Sequence, residues 1–141
     1  MSDYVRTKAI RYLPTEKNLF AAGAAEDFWA VEEKFPEEYK QYSAGTAKKS
    51  GYFEITATDK RHYVDFVLKY SYGDECGDFG KVRYLTQAEL EKAVRVFSKL
   101  FPDPDLNNFR LVDYCYYNCC EPDDYFEPEE DEFYKEIELP E

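Results

Sequence analysis

The chain has 141 residues, 44% apolar and 18% aromatic, and its 30 acidic against 18 basic side chains leave a net charge of −12. That length fits one domain with a real core, and so much Tyr and Phe excludes a disordered chain. No apolar run approaches the roughly 18 residues that a membrane helix needs, and the negative charge argues against direct contact with nucleic acid, whose phosphates would repel it.

The first residues, MSDYVRTKAIRYLPTEK, are polar and lack the apolar centre of a secretory signal. The expected location is therefore cytoplasmic, with reduced cysteines. Residues 4–13 alternate as a strand does, with Val5, Ala9 and Leu13 on one face and Ile10 and Tyr12 on the other, beside Arg6 and Lys8. Pro14 ends the strand, and Thr15 is an N-cap for a helix beginning just after it. Over 19–34, Phe20, Ala24, Phe28 and Val31 recur at steps of three or four. Ala21, Ala25 and Trp29 widen that stripe, which predicts one amphipathic helix weakened at Gly23. Pro36 breaks it, and 36–42 reads as a second short helix with Pro near its start.

Residues 43–51 (SAGTAKKSG) read as a loop. Residues 52–58 and 62–70 predict a β-hairpin, with Val64, Phe66, Leu68 and Tyr70 opposite Tyr63, Asp65, Val67 and Lys69. A glycine-rich loop spans 71–80, and 81–85 is a short strand. Thr86-Gln87-Ala88-Glu89 has the form of a capping box, opening a helix with Leu90, Ala93, Val94, Phe97, Leu100 and Phe101 on one stripe. Pro102 and Pro104 stop that helix. Residues 109–118 form a Tyr-rich strand. Residues 133–139 alternate again, as an edge strand whose acids would discourage edge-to-edge pairing.

This order predicts a single α+β domain, an antiparallel sheet of about five or six strands with two or three helices. Residues 1–120 form the body, and 121–141 are an acidic C-terminal segment of the same domain.

Signs of catalysis are sparse. His62 is the only histidine, and no nucleophile signature accompanies it. Asp78-Phe79-Gly80 spells a kinase tripeptide without that family's catalytic or glycine-rich loops, and no phosphate-cradling glycine motif occurs. Cys115 and Cys119 have a spacing that zinc sites use, but only Cys76 and His62 could complete a tetrahedron. Cys115, Cys119 and Cys120 read better as small residues at a strand end. Asp74, Glu75 and Asp78 do not match a calcium loop. No cofactor or metal is expected.

The segment 121–141 holds eleven carboxylates and one lysine, Lys135, so it carries −10 while the body, with 17 basic and 19 acidic side chains, carries −2. Fully extended, it would place one net charge per roughly 7 Å, about a quarter of the density of duplex DNA. Tyr125, Phe126, Phe133 and Tyr134 interleave with these acids and can pin the segment to the domain or stack on arginines. The expected partner-binding residues are Glu121, Asp123, Asp124, Tyr125, Glu127, Glu129, Glu130, Asp131, Glu132, Glu136 and Glu138.

In size, acidity and aromatic content the chain resembles the small acidic inhibitors of phages and mobile elements, the anti-CRISPR and anti-restriction proteins that occupy a nuclease's DNA-binding groove. The resemblance implies a non-enzymatic protein that blocks DNA engagement by a bacterial defence nuclease, such as an RNA-guided one. Its carboxylates would face the Lys and Arg that hold phosphate, with neither nucleic acid nor membrane as a direct partner. Two other classes fit the same residues. One is an immunity protein neutralising a basic toxin; the other is a small α+β enzyme, which a pocket with convergent polar groups and a perturbed carboxyl would favour.

Overall fold

The computed structural model describes residues 4–43, 46–47, 49–57, 61–73 and 80–117. Seven strands are present among them: β1 (Tyr4–Tyr12), β2 (Tyr42–Ser43), β3 (Thr46–Ala47), β4 (Tyr52–Ala57), β5 (His62–Gly73), β6 (Gly80–Arg83) and β7 (Phe109–Tyr117). Five of them form one antiparallel sheet in the order β4-β5-β1-β7-β6, and β2 and β3 form a small separate hairpin. Two α-helices, α1 (Glu16–Ala21) and α2 (Gln87–Phe97), and three short 3₁₀ segments complete a single α+β fold.

Strand alternation sorts the side chains onto two faces. Ile10 and Tyr12 of β1, Phe53 and Ile55 of β4, Val64 and Phe66 of β5, and Phe109 and Leu111 of β7 pack with Ala93, Val96 and Phe97 of α2 and with Val31. Tyr12 lies at the centre of this layer, its ring 4.5 Å from Phe109, 5.6 Å from Phe101 and 5.7 Å from Phe97. Each such aromatic pair adds about 0.5–1.5 kcal/mol beyond its area burial. The hydroxyl of Tyr12 donates to Asn18 Oδ1 and accepts the backbone N–H of Asp105 at 2.7 Å. Burial pushes it up to about 12. Asn18 in turn closes a capping box with Thr15 and donates to the Asp103 carbonyl at 2.8 Å, so one buried amide ties α1 to the chain that leads into β7.

α2 begins as its sequence demands: Thr86 Oγ1 accepts the Glu89 N–H, and the Glu89 carboxylate accepts the Thr86 N–H. The helix ends at Phe97, before the prolines, with Ser98 as its C-cap. Leu100 and Phe101 are still buried, carried into the core by the turn after the helix.

The predicted helix over 19–34 is two pieces. α1 stops at Ala21, Gly23 takes a left-handed φ of +72°, and a 3₁₀ segment runs from Phe28 to Lys34 with Asp27 as its N-cap. The reason is local. Glycine occupies the left-handed region without a Cβ clash, and the Asp27 side chain accepts the Trp29 N–H and starts a new segment. The stripe therefore breaks: Ala24 and Val31 are buried, while Phe20, Ala21, Ala25 and Trp29 are exposed. The second predicted helix shrinks to a 3₁₀ turn at Glu37–Tyr39 after Pro36. The predicted loop over 43–51 contains the β2–β3 hairpin. In β5 the register slips by one at Leu68, because Lys8 faces Lys69 whereas Ala9 faces Val67. That bulge moves Tyr70 off the face expected for it and onto the other side, against Ala9, Tyr52, Val67 and Val112.

Candidate functional site

All the expected partner-binding residues, Glu121 to Glu138, lie outside the described residues, as do the predicted strand over 133–139, Cys76, Cys119, Cys120 and the acids of the 74–78 loop. Cys115 is described: it is buried in β7 and disulfide-bonded. For Cys115 this departs from the expected reduced thiol, and a sulfur held in a disulfide is not a thiolate for zinc. His62 sits at the start of β5, exposed, with its ring edge against Phe28 at 5.1 Å. Among the described residues no three His, Cys, Asp or Glu side chains converge on a metal position.

The chemistry that the described residues do bring together is on the sheet face away from the helices. Glu54, Asp65, Arg11 and Arg110 each lie between two core residues in sequence, so alternation sends all four to the opposite side. Register aligns them: Glu54 faces Asp65, Asp65 faces Arg11, and Arg11 faces Arg110. The row thus sets two carboxylates side by side and then two guanidiniums. Arg11 and Asp65 form a bidentate pair at 2.8 and 2.9 Å, with both side chains buried. Arg11 stacks on Tyr63 at 3.8 Å and Arg110 on Tyr84 at 3.7 Å. Arg110 Nη1 also donates to the carbonyls of Asn107 and Phe109, each at 2.8 Å.

The carboxyls respond to this setting. Burial pushes Asp65 up, opposed by its pairing with Arg11. Glu54 is also raised, first by lost solvation and second by Asp65, against the pull of Arg11. Its side chain keeps access to solvent at the sheet edge.

β4 is an outer strand of the sheet, and a cleft of about 460 Å³ opens beside it, lined by Glu32, Phe35, Lys40, Gln41, Phe53, Glu54 and Ile55. Phe35 and Phe53 contact each other at 5.3 Å and give it an apolar wall. The Lys40 ammonium is held by Glu37 at 2.8 Å, a bond that also draws the Glu37 carboxyl below its usual range. Gln41 Oε1 is buried and accepts no hydrogen bond from the described residues. The nearby 3₁₀ segments bear Glu32, Glu33, Glu37 and Glu38 on the surface, and Glu26 and Asp27 are exposed just before the first of them.

Sequence reasoning missed the row and the cleft. The available signal was a charged residue between two apolar ones in four separate strands, but pairing those residues needs the strand order. No family model, curated protein or solved structure matches this chain. What the structure defines is an α+β domain with one aromatic face, an opposite face that carries the charged row beside a small apolar cluster, and a cleft at the sheet edge. No helix among the described residues is long and apolar enough to cross a membrane.

Proposed function

We propose that the protein is a non-enzymatic acidic inhibitor that binds the basic, nucleic-acid-holding groove of a bacterial defence nuclease in the cytoplasm and blocks DNA engagement. The observation that carries this reading is the segregation of charge, −10 in residues 121–141 against −2 in the rest. The body supports it by pairing its own charges. Asp113 holds Arg6, Asp65 holds Arg11, Asp103 holds Lys17, Glu37 holds Lys40, Glu89 holds Arg83 and Glu38 holds Lys99. Attraction between opposite charges makes such association fast and sensitive to salt.

The test is capture and inhibition of an RNA-guided nuclease by the full chain and by a variant with Glu127, Glu129, Glu130, Asp131 and Glu132 neutralised together. The expected outcome is inhibition by the full chain, lost in high salt and strongly weakened in the variant. Full inhibition by the variant would sink the electrostatic reading.

One observation favours a second reading, a small enzyme: Glu54 combines a raised carboxyl with a position on the cleft. In that case Glu54→Gln would abolish a turnover activity, whereas an inhibitor working through its acidic segment would keep its inhibition in the same variant.

A further inference from the structure

The sheet face opposite the helices is buried, although the buried apolar residues of the described helices all pack on the other side. Ala9, Val67 and Val112 are fully buried here, and the residues packed with them, Tyr52, Tyr70 and Val82, come from the same sheet. In the charged row, Arg11, Asp65 and Arg110, with Tyr63 beside them, are each at most 4% exposed. Side chains standing on one face of a sheet reach that degree of burial only under a second layer of chain.

The row sets the chemistry of that layer. A guanidinium has five N–H donors, and buried donors need acceptors. Asp65 accepts from Arg11 Nε and Nη2, the described contacts of Arg110 are two carbonyls and the Tyr84 ring, and both arginines have interactions besides these. Two adjacent guanidiniums thus meet one buried carboxylate, because Glu54 is exposed, and burying the excess charge is costly without a second anion. Outside the described residues, acids occur at Asp3, at Asp59, in 74–79 and in 121–141, and reach separates them. Asp3 precedes Tyr4, from which Arg11 lies about 23 Å along β1. Residues 74–79 extend to about 20 Å at most and must rejoin β6 at Gly80, short of the way to the row and back. Asp59 belongs to the turn that closes β4 onto β5, where Ala57 faces His62. Residues 118–141 leave β7 beside Tyr4 and can span roughly 80 Å. They also carry Tyr125, Phe126, Phe133 and Tyr134, rings suited to the apolar cluster. We propose that residues 118–141 fold back over this face, with a carboxylate beside the Arg11 and Arg110 guanidiniums and aromatic rings on Ala9, Val67 and Val112. The remaining acids then form a fixed anionic surface of the domain. This goes beyond the nuclease reading and does not depend on it.

The experiment is NMR on the full chain, reading ring-to-methyl NOEs and the Arg11 side-chain N–H signals. Expected are NOEs from the rings of Tyr125, Phe126, Phe133 or Tyr134 to the methyls of Ala9, Val67 and Val112. The acids of 121–132 are neutralised together in one variant, and those of 136–141 in another. One of the two should shift the Arg11 signals and speed their exchange about tenfold or more, the worth of a hydrogen bond to a charged group. Asp59→Asn should leave those signals unchanged. Absence of the NOEs, no response in either neutralised variant, or a response to Asp59→Asn alone would overturn the proposal. So would NOEs seen only between differently labelled copies in a mixed sample, which would give the face to a second copy. Loss of nuclease inhibition with the NOEs intact would sink the functional reading alone, so the two fail separately.

Discussion

The two faces of the sheet are made from the same strands and solve burial in opposite ways. On the helix side Tyr12, Phe53, Phe66, Phe97, Phe101 and Phe109 interlock as rings, with one hydroxyl satisfied by Asn18 and Asp105. On the other side Arg11, Asp65 and Arg110 are equally buried, and their charges are met by pairing, stacking and carbonyl acceptors. The first face gains from area and packing alone. The second is costly to desolvate and stable only as a complete set. Its use is register: a slip of one residue would put Arg11 and Asp65 into the aromatic layer.

The contrast can be broken from either side. Phe97→Ala should cost about 3–5 kcal/mol in urea unfolding, the range for a deleted core ring. Asp65→Ala should cost a similar amount, about 3–5 kcal/mol, because it removes the bidentate partner of a fully buried guanidinium. The double change Arg11→Met with Asp65→Leu sharpens the point. It should recover most of the loss, since an apolar pair of similar volume commonly replaces a buried ion pair at no net cost. A double variant as unstable as Asp65→Ala would mean that the row does more than neutralise itself.

Smaller effects are expected from single hydrogen bonds. Tyr12→Phe keeps the ring but leaves the Asp105 N–H without its acceptor, while the Asn18 amide oxygen keeps the Thr15 N–H, so a loss of about 1 kcal/mol is expected by thermal or urea unfolding.

Dependence on pH should separate the faces as well. Glu89 is bound bidentately by Arg83 at 2.7 and 2.9 Å and caps α2, which lowers its carboxyl to about 2. Its contribution is complete above the unfolded value of about 4.3 and is lost as pH falls toward 2. Glu54 and Asp65 are raised, so the native state keeps protons that the unfolded chain releases. Their contribution is greatest below the unfolded values of about 3.9–4.3 and declines as pH rises through the raised ones. Asp65 and Arg11 are the charges that act on Glu54, and Glu54→Gln should remove the part of that decline it causes. Urea midpoints for Glu89→Gln and Glu54→Gln across acid pH should therefore diverge from the parent in opposite directions.

Local signals in the sequence were legible where they acted alone. The Thr86–Glu89 capping box opens α2 as read, the alternation of β1 assigns Val5 and Ala9 to one side and Ile10 and Tyr12 to the other, and 52–57 with 62–73 forms the hairpin. Failures came where a single residue overrode a period. Gly23 and Asp27 divided an apolar stripe that by spacing was continuous, and the bulge at Leu68 inverted the end of β5. The charged row was illegible for a different reason. Each member is an ordinary polar strand position, and only the placement of β1 between β5 and β7 brings Asp65, Arg11 and Arg110 into line. The acidic segment, prominent by composition, lies outside the described residues.

That central placement of β1 has a consequence for biogenesis. Tyr12 meets Val64 on one side and Phe109 on the other, so the second partner leaves the ribosome roughly a hundred residues after the first strand, about 5–20 s later at ordinary elongation rates. The β4–β5 hairpin is the local pairing in the main sheet and can form early. β1 can join it next, but it then presents an unpaired edge until β7 arrives. A nascent chain halted before residue 109 would display that edge to other chains, and closure of the sheet would be set by long-range contacts. The order of synthesis thus makes β7 the strand that encloses β1 in the sheet formed by the described residues.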